Sequence, residues 1–207
     1  MDIRLKHPFT CIVAGQTQCG KSTFVSSLIK NSSELIDPPP DQVTWCYAEY
    51  QAGLEAKLPG VKFQAGLNVD ELDYSQRNLV IIDDMMTELG NDKKLANIFT
   101  KGSHHKNLSV IFIIQNLFYQ AQQMRNISLN AHYLIIFKNV RDKSQIQHLA
   151  KQMYPGQTQY LLDAFRMATE KPHGYILIDL KPGTPDNIRL RSCILPEEGN
   201  TVVYLPK

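Results

Sequence analysis

Apolar residues in this chain fall into short β-branched blocks separated by helical spacings, and that alternation predicts its architecture. Phe9-Thr10-Cys11-Ile12-Val13-Ala14 reads as a buried strand, after which Phe24, Val25, Leu28 and Ile29 mark one stripe of a helix. Asp37-Pro38-Pro39-Pro40 cannot continue a helix and leads to a second strand, Val43-Thr44-Trp45-Cys46-Tyr47. Val61-Lys62-Phe63-Gln64 predicts a short strand near an edge. Asn78-Leu79-Val80-Ile81-Ile82-Asp83-Asp84 is a nearly continuous apolar block ending in two carboxylates, the profile of a central parallel strand covered on both faces.

Leu95, Ile98 and Phe99 give helical spacing, with Asp92 near the start and Lys101-Gly102 near the stop, both in the favourable dipole sense. Ser109-Val110-Ile111-Phe112-Ile113-Ile114 is a further strand, ending at Gln115-Asn116. A helix from about Phe118 to Arg125 and a strand at Tyr133-Leu134-Ile135-Ile136-Phe137 follow. Asp142-Lys143-Ser144-Gln145 has the form of a capping box, opening a helix that Pro155-Gly156 ends. Leu161, Ala164, Phe165 and Ala168 mark another helix, and Tyr175-Ile176-Leu177-Ile178-Asp179-Leu180 a late strand.

This βαβ succession predicts an α/β fold, a three-layer sandwich with a mostly parallel sheet and its ligand at the carboxyl ends of the strands. A chain of 207 residues, 43% of them hydrophobic, suffices for one full core, so a single domain over 1–207 is expected, with its core over about 9–180. Residues 181–207 read as a turn and short strands, with no chemistry assigned.

The chemistry starts in the first strand-to-helix connection. Gly15-Gln16-Thr17-Gln18-Cys19-Gly20-Lys21-Ser22-Thr23 fills every fixed position of the phosphate-loop pattern G-x-x-x-x-G-K-[ST]. The glycines let the backbone fold tightly around phosphates, the loop N–H groups point inward, and the following helix offers its positive dipole end. Lys21 is expected to bridge the β- and γ-phosphates and Ser22 to ligate Mg²⁺, with a nucleoside triphosphate as ligand.

Asp83 and Asp84 end a strand about one strand over from that loop. The first is expected to hold Mg²⁺ together with Ser22, and the second to orient the attacking water as general base. Gln115 ends the next strong strand, where its amide could contact the γ-phosphate or the water. Arg125 and Arg141 are the two candidates for a cation inserted from a neighbouring subunit.

Composition narrows little else. A formal charge of +2 neither marks nor excludes a nucleic-acid binder, although Lys93, Lys94, Lys101, His104, His105 and Lys106 form a basic segment beside the sheet rim. Cys11, Cys19, Cys46 and Cys193 show no metal-ligand or disulfide spacing and read as reduced thiols of an intracellular protein. No stretch reaches the ~18 apolar residues of a membrane span, so a soluble protein with no membrane partner is expected.

With these residues in place, the chain resembles a genome-packaging ATPase of the FtsK/HerA superfamily, of the poxvirus-type group also found in large DNA viruses, virophages and Polinton-like elements. The likeness covers about residues 9 to 155. It rests on Gly15 to Thr23, the Asp83-Asp84 strand end, Lys101-Gly102-Ser103-His104-His105 with Ser109-Val110-Ile111, Gln115-Asn116, Arg125-Asn126-Ile127-Ser128-Leu129-Asn130, and Lys138-Asn139-Val140-Arg141-Asp142.

The resemblance implies a RecA/ASCE-like P-loop ATPase that uses ATP and Mg²⁺. It also implies a homo-oligomeric ring, pentameric or hexameric, that moves double-stranded DNA into a capsid through portal or vertex proteins at a host-cell virus assembly site. Asp84 departs from the pattern, since many members carry Glu there. A small-molecule P-loop kinase and a nucleotide-binding switch or assembly protein are the alternatives. Tandem acids and a strand-end Gln favour water over a bound acceptor.

Overall fold

The computed structural model describes residues 2–50, 52–85, 93–99, 107–117 and 124–206. In chain order these residues form β1 (Leu5–Lys6), β2 (Thr10–Ala14), α1 (Lys21–Lys30), α2 (Ser32–Leu35), β3 (Ile36–Asp37), β4 (Gln42–Tyr47), α3 (Leu54–Lys57) and β5 (Lys62–Ala65). Then come β6 (Asn78–Asp83), α4 (Lys93–Asn97), β7 (Leu108–Ile114), α5 (Met124–Leu129), β8 (Tyr133–Phe137), α6 (Ser144–Met153) and α7 (Thr158–Ala168). The chain closes with β9 (Tyr175–Asp179), β10 (Leu190–Ser192) and β11 (Val202–Tyr204).

Nine of these strands make one sheet in the order β5-β4-β6-β7-β2-β8-β9-β10-β11, and β1 pairs with β3 apart from it. From β5 to β8 every pairing is parallel; β9, β10 and β11 join antiparallel. The mostly parallel sheet expected from the sequence is therefore present. Its antiparallel end follows from a pair of helices: α6 carries the chain away from the rim where β8 ends, α7 brings it back, and β9 must start where β8 stopped, Tyr175 opposite Phe137. By the same geometry the turn after β10 returns to that rim.

Side chains of each central strand alternate between two cores. Ile12, Val80, Ile82, Phe112 and Ile136 pack on one face with residues of α4 to α7, while Val13, Ile81, Ile113 and Ile135 pack on the other with Phe24, Val25 and Leu28 of α1. β2, β6, β7 and β8 are buried throughout, which is why they read as unbroken apolar runs rather than alternating ones. Each such aliphatic side chain contributes roughly 1.5–3 kcal/mol of hydrophobic stabilisation.

Two local expectations change. The helix expected up to Arg125 is described only from Met124 and continues to Leu129; residues 118–123 lie outside the described part. The capping box before α6 is replaced by a different arrangement, because Gln145 is buried: its Nε2 donates to the Asp142 carboxylate at 3.0 Å and its Oε1 accepts from the Leu117 backbone N–H at 3.1 Å. Asp142 accepts instead from the Ser144 backbone N–H at 3.0 Å. The two-residue β1–β3 pair carries no periodicity to read. All four cysteines are free thiols, and among the described residues no helix is long and apolar enough to cross a membrane.

Candidate nucleotide site

The phosphate loop joins β2 to α1 at the carboxyl rim of the sheet. Gly20 precedes α1 in a left-handed conformation, φ 107°, and no side chain caps the helix, so the N–H groups of its first turn are left for a ligand. Gly15 is required for a different reason. A Cβ there would lie 2.6 Å from Cys19 Sγ and 2.7 Å from Phe137 Cβ, closer than any packing allows. Lys21 folds back on its own loop, donating to the carbonyls of Gly15 at 2.6 Å and Gln16 at 3.0 Å. Those two carbonyls hold the ammonium against the loop.

Register brings the remaining groups to the same level. Val13 pairs with Ile113, and Ile113 with Asp83, so the ends of β2, β7 and β6 stand side by side. Gly15 N–H donates to Ile114 O at 3.2 Å and Asp84 N–H to Ile113 O at 3.3 Å. The diacid strand is thus two positions from the loop strand, with β7 between them rather than adjacent as the sequence suggested. This places Gln115 between the loop and Asp84, and its Nε2 lies 3.2 Å from Asp84 Oδ2 and 3.4 Å from Oδ1. An ionised carboxylate only accepts, so the amide nitrogen must face it and the amide oxygen remains available to a water.

The two aspartates differ in surroundings. Asp83 is 4% exposed and continues the Leu79–Ile81 alternation, so its side chain lies on the face of α1, the helix that carries Ser22. Burial pushes its carboxyl up to about 6 and the charge of Asp84 adds to this, against the opposing effects of Trp45 and Lys21. Trp45 Nε1 donates to Asp83 Oδ2 at 3.3 Å. Asp84 is exposed and adopts φ 51°, a left-handed conformation that turns its carboxylate out of the strand line. A buried carboxylate raised in pKa, with a serine hydroxyl on the adjoining helix, is a donor set suited to a hard divalent cation such as Mg²⁺.

Of the expected site residues, the structure brings together Gly15 to Thr23, Asp83, Asp84 and Gln115. Arg125 and Arg141 do not join them, and both are exposed. Arg141 lies in the loop leaving β8 at the same rim as the phosphate loop, where Ile136 pairs with Ala14. Arg125 opens α5, whose far end returns to the start of β2 through the bond of Thr10 Oγ1 to Asn130 O, 2.9 Å. Lys101, His104, His105 and Lys106 lie outside the described residues, as do the side chains of Lys93 and Lys94.

Two participants are illegible in the sequence. Trp45 reads as a core aromatic and is one, fully buried, yet its N–H reaches Asp83. His173 sits in the turn before β9, with Nδ1 3.1 Å from Cys19 O and close over Gly20. Gly174 fixes that turn, since a Cβ on it would lie 2.4 Å from Ala168 O. Lys171-Pro172-His173-Gly174 signals a turn, but not that its His173 closes on Cys19 of the phosphate loop, 154 residues upstream.

No family model matches the chain, and no curated protein matches it. Solved structures do. B204, the DNA-packaging ATPase from Sulfolobus turreted icosahedral virus, superposes with a TM-score of 0.59 at 10% identity over 97% of this chain and 98% of its own. The genome packaging NTPase B204 from Sulfolobus turreted icosahedral virus 2, in complex with ATP-gammaS, does so with a TM-score of 0.53 at 10% identity over 96% and 98%. EssC ATPases 2 and 3 from Geobacillus thermodenitrificans give 0.50 at 15% identity over 96% of this chain but 40% of theirs. At these identities the likeness is one of architecture: the chain has the fold of the viral genome-packaging NTPases over nearly its whole length.

Proposed function

We propose that this chain is a Mg²⁺-dependent P-loop ATPase of the FtsK/HerA type that acts as an oligomeric ring and moves double-stranded DNA into a viral capsid. The observation that carries the reading is the junction of Gln115 with Asp84 beside the phosphate loop, a pair arranged for water rather than for a bound acceptor. The shared fold with packaging NTPases along almost all of both chains supports the biological setting.

Residues 16–22 would cradle the phosphates, and Lys21 would exchange the Gly15 and Gln16 carbonyls for β- and γ-phosphate oxygens. Ser22 and Asp83 would hold Mg²⁺, which when bound neutralises charge on those oxygens. Gln115 Oε1 accepts a hydrogen bond from the attacking water and Asp84 takes one of its protons as the water oxygen attacks the γ-phosphorus, the other proton staying on the oxygen that joins the phosphate. The bond to the β–γ bridging oxygen breaks, leaving ADP and phosphate. Arg141 or Arg125 of a neighbouring subunit would supply the remaining positive charge. DNA would be held through its phosphates, since a translocating motor must pass any sequence, and capsid portal or vertex proteins would receive the ring.

The test is phosphate release from ATP with and without duplex DNA across a salt series. Stimulation by DNA that fades as salt rises supports the motor. Transfer of phosphate to a nucleoside, with negligible hydrolysis even when DNA is present, would overturn it in favour of a kinase.

A further inference from the structure

Trp45 is the one tryptophan of the chain, and the sheet sets it beside Asp83. In the parallel register of β4 and β6 it pairs with Ile81, so its side chain shares a face with Asp83, two residues further along. Tyr47 stands directly opposite Asp83. The indole spans the diagonal, and its Nε1–H donates to Asp83 Oδ2 at 3.3 Å.

The ring that carries this donor is fixed. Trp45 is fully buried in the core that holds Val25 and Leu28 of α1, and it stacks on Phe63 of β5 with ring centroids 6.0 Å apart and planes 21° from parallel. An indole N–H can only donate, and burial without an acceptor would leave it unsatisfied, so Asp83 satisfies the ring while the ring orients Asp83. Burial alone would be served by a phenylalanine. What the indole adds is one N–H, and it goes to the carboxylate.

That bond bears on how Asp83 can meet a cation. Ca²⁺ takes about six to eight oxygens, often including both of one carboxylate, whereas Mg²⁺ demands a near-octahedral shell that the narrow bite of a chelating carboxylate distorts. With Oδ2 tied to a ring that is packed on all sides, Asp83 cannot turn both oxygens to one cation without giving up the indole bond.

We propose that Trp45 is a positioning residue of the metal site, holding Asp83 for contact through a single oxygen and thereby favouring Mg²⁺ over Ca²⁺. The inference rests on the assignment of Ser22 and Asp83 to the cation made above. It gives a core aromatic of β4, outside both the phosphate loop and the diacid, a part in choosing the metal.

The readout is the gain in affinity for the non-hydrolysable analogue β,γ-methylene-ATP when Mg²⁺ or Ca²⁺ replaces EDTA, measured by calorimetry on the full chain. Because the chain has a single tryptophan, expression with benzothienylalanine in place of tryptophan alters position 45 alone, exchanging the N–H for sulfur while the ring shape is kept. The Mg²⁺-dependent gain should fall about tenfold, as on loss of an outer-shell partner, while the Ca²⁺-dependent gain and binding in EDTA stay within roughly twofold. Phe63→Leu, which loosens the same stack and keeps the N–H, should leave both gains as in the parent. An unchanged Mg²⁺ gain in the benzothienyl protein, equal losses with Mg²⁺ and Ca²⁺, or an equal loss of the Mg²⁺ gain in Phe63→Leu overturns the proposal. A parent that binds the analogue no more tightly with Mg²⁺ than in EDTA overturns the metal-site assignment itself, and this inference with it.

Discussion

Gln115 Nε2 stands 3.2 Å from Asp84 Oδ2, joining the ends of two neighbouring strands at the rim where the phosphate loop begins. The contact orients a carboxylate that is otherwise exposed, and leaves one amide oxygen to accept from water. If Asp84 is the base, Asp84→Asn should retain ATP binding and lower turnover by about 10²–10⁴-fold. Gln115→Ala should lower it by roughly ten- to a hundredfold, and the double variant should be no slower than Asp84→Asn alone, because the two act as a unit. Single-turnover hydrolysis measures all three, and parental rates in Asp84→Asn would remove Asp84 from the mechanism.

Asp83 is held in the fold with its carboxyl raised from 3.8 to about 6. Between those values the folded protein binds more protons than the unfolded chain, so the stability contributed by this group is complete below pH 3.8 and lost as pH rises to 6. Without nucleotide or metal, Asp83→Asn should therefore stabilise the protein at pH 7.5 by on the order of 1–3 kcal/mol, with the gain shrinking toward pH 4. Asn Oδ1 can still accept from Trp45. Thermal melts of parent and variant at the two pH values check this; a variant less stable than the parent at pH 7.5 would contradict it. The same variant should lose Mg²⁺-dependent hydrolysis.

If a neighbouring subunit supplies an arginine to the site, Arg141 is the candidate nearer to it, since its loop leaves β8 at the level of Ala14 while Arg125 lies in a helix directed to the other rim. Arg141→Ala should lower hydrolysis by about 10³-fold or more. Mixing it with Lys21→Ala subunits, themselves unable to bind nucleotide tightly, should restore part of the activity, because one chain keeps the loop and the other the arginine. Restoration by Arg125→Ala instead would exchange the two assignments.

Gly174 is packed against Ala168 O. Gly174→Ala should cost about 1–3 kcal/mol through overpacking and displace His173 from the phosphate loop. Denaturant unfolding reads the first effect, and a loss of ATP affinity reads the second. A variant as stable as the parent would show that the turn yields freely.

Local chemistry made much of this protein legible in one dimension. Doubly buried parallel strands must be continuously apolar, so β2, β6, β7 and β8 announced themselves, and the loop spacing of Gly15, Gly20, Lys21 and Ser22 is set by the phosphates it would cradle. Asp83, Asp84 and Gln115 were readable because each ends such a strand, and parallel strand ends gather at one rim.

Which strands are neighbours, and which distant side chains touch, depended on the tertiary fold. Apolar periodicity carries no information on pairing order, so only the sheet places β7 between the loop and the diacid and lets Gln115 reach Asp84. It likewise carries no strand direction: two helices rather than one between β8 and β9 turned the late strands antiparallel. That reversal brought His173 and the turn at Pro196–Glu198 back to the phosphate loop. Trp45 and His173 met their partners through contacts 38 and 154 residues apart, a separation over which burial of both cores, and no local preference, holds the chain together.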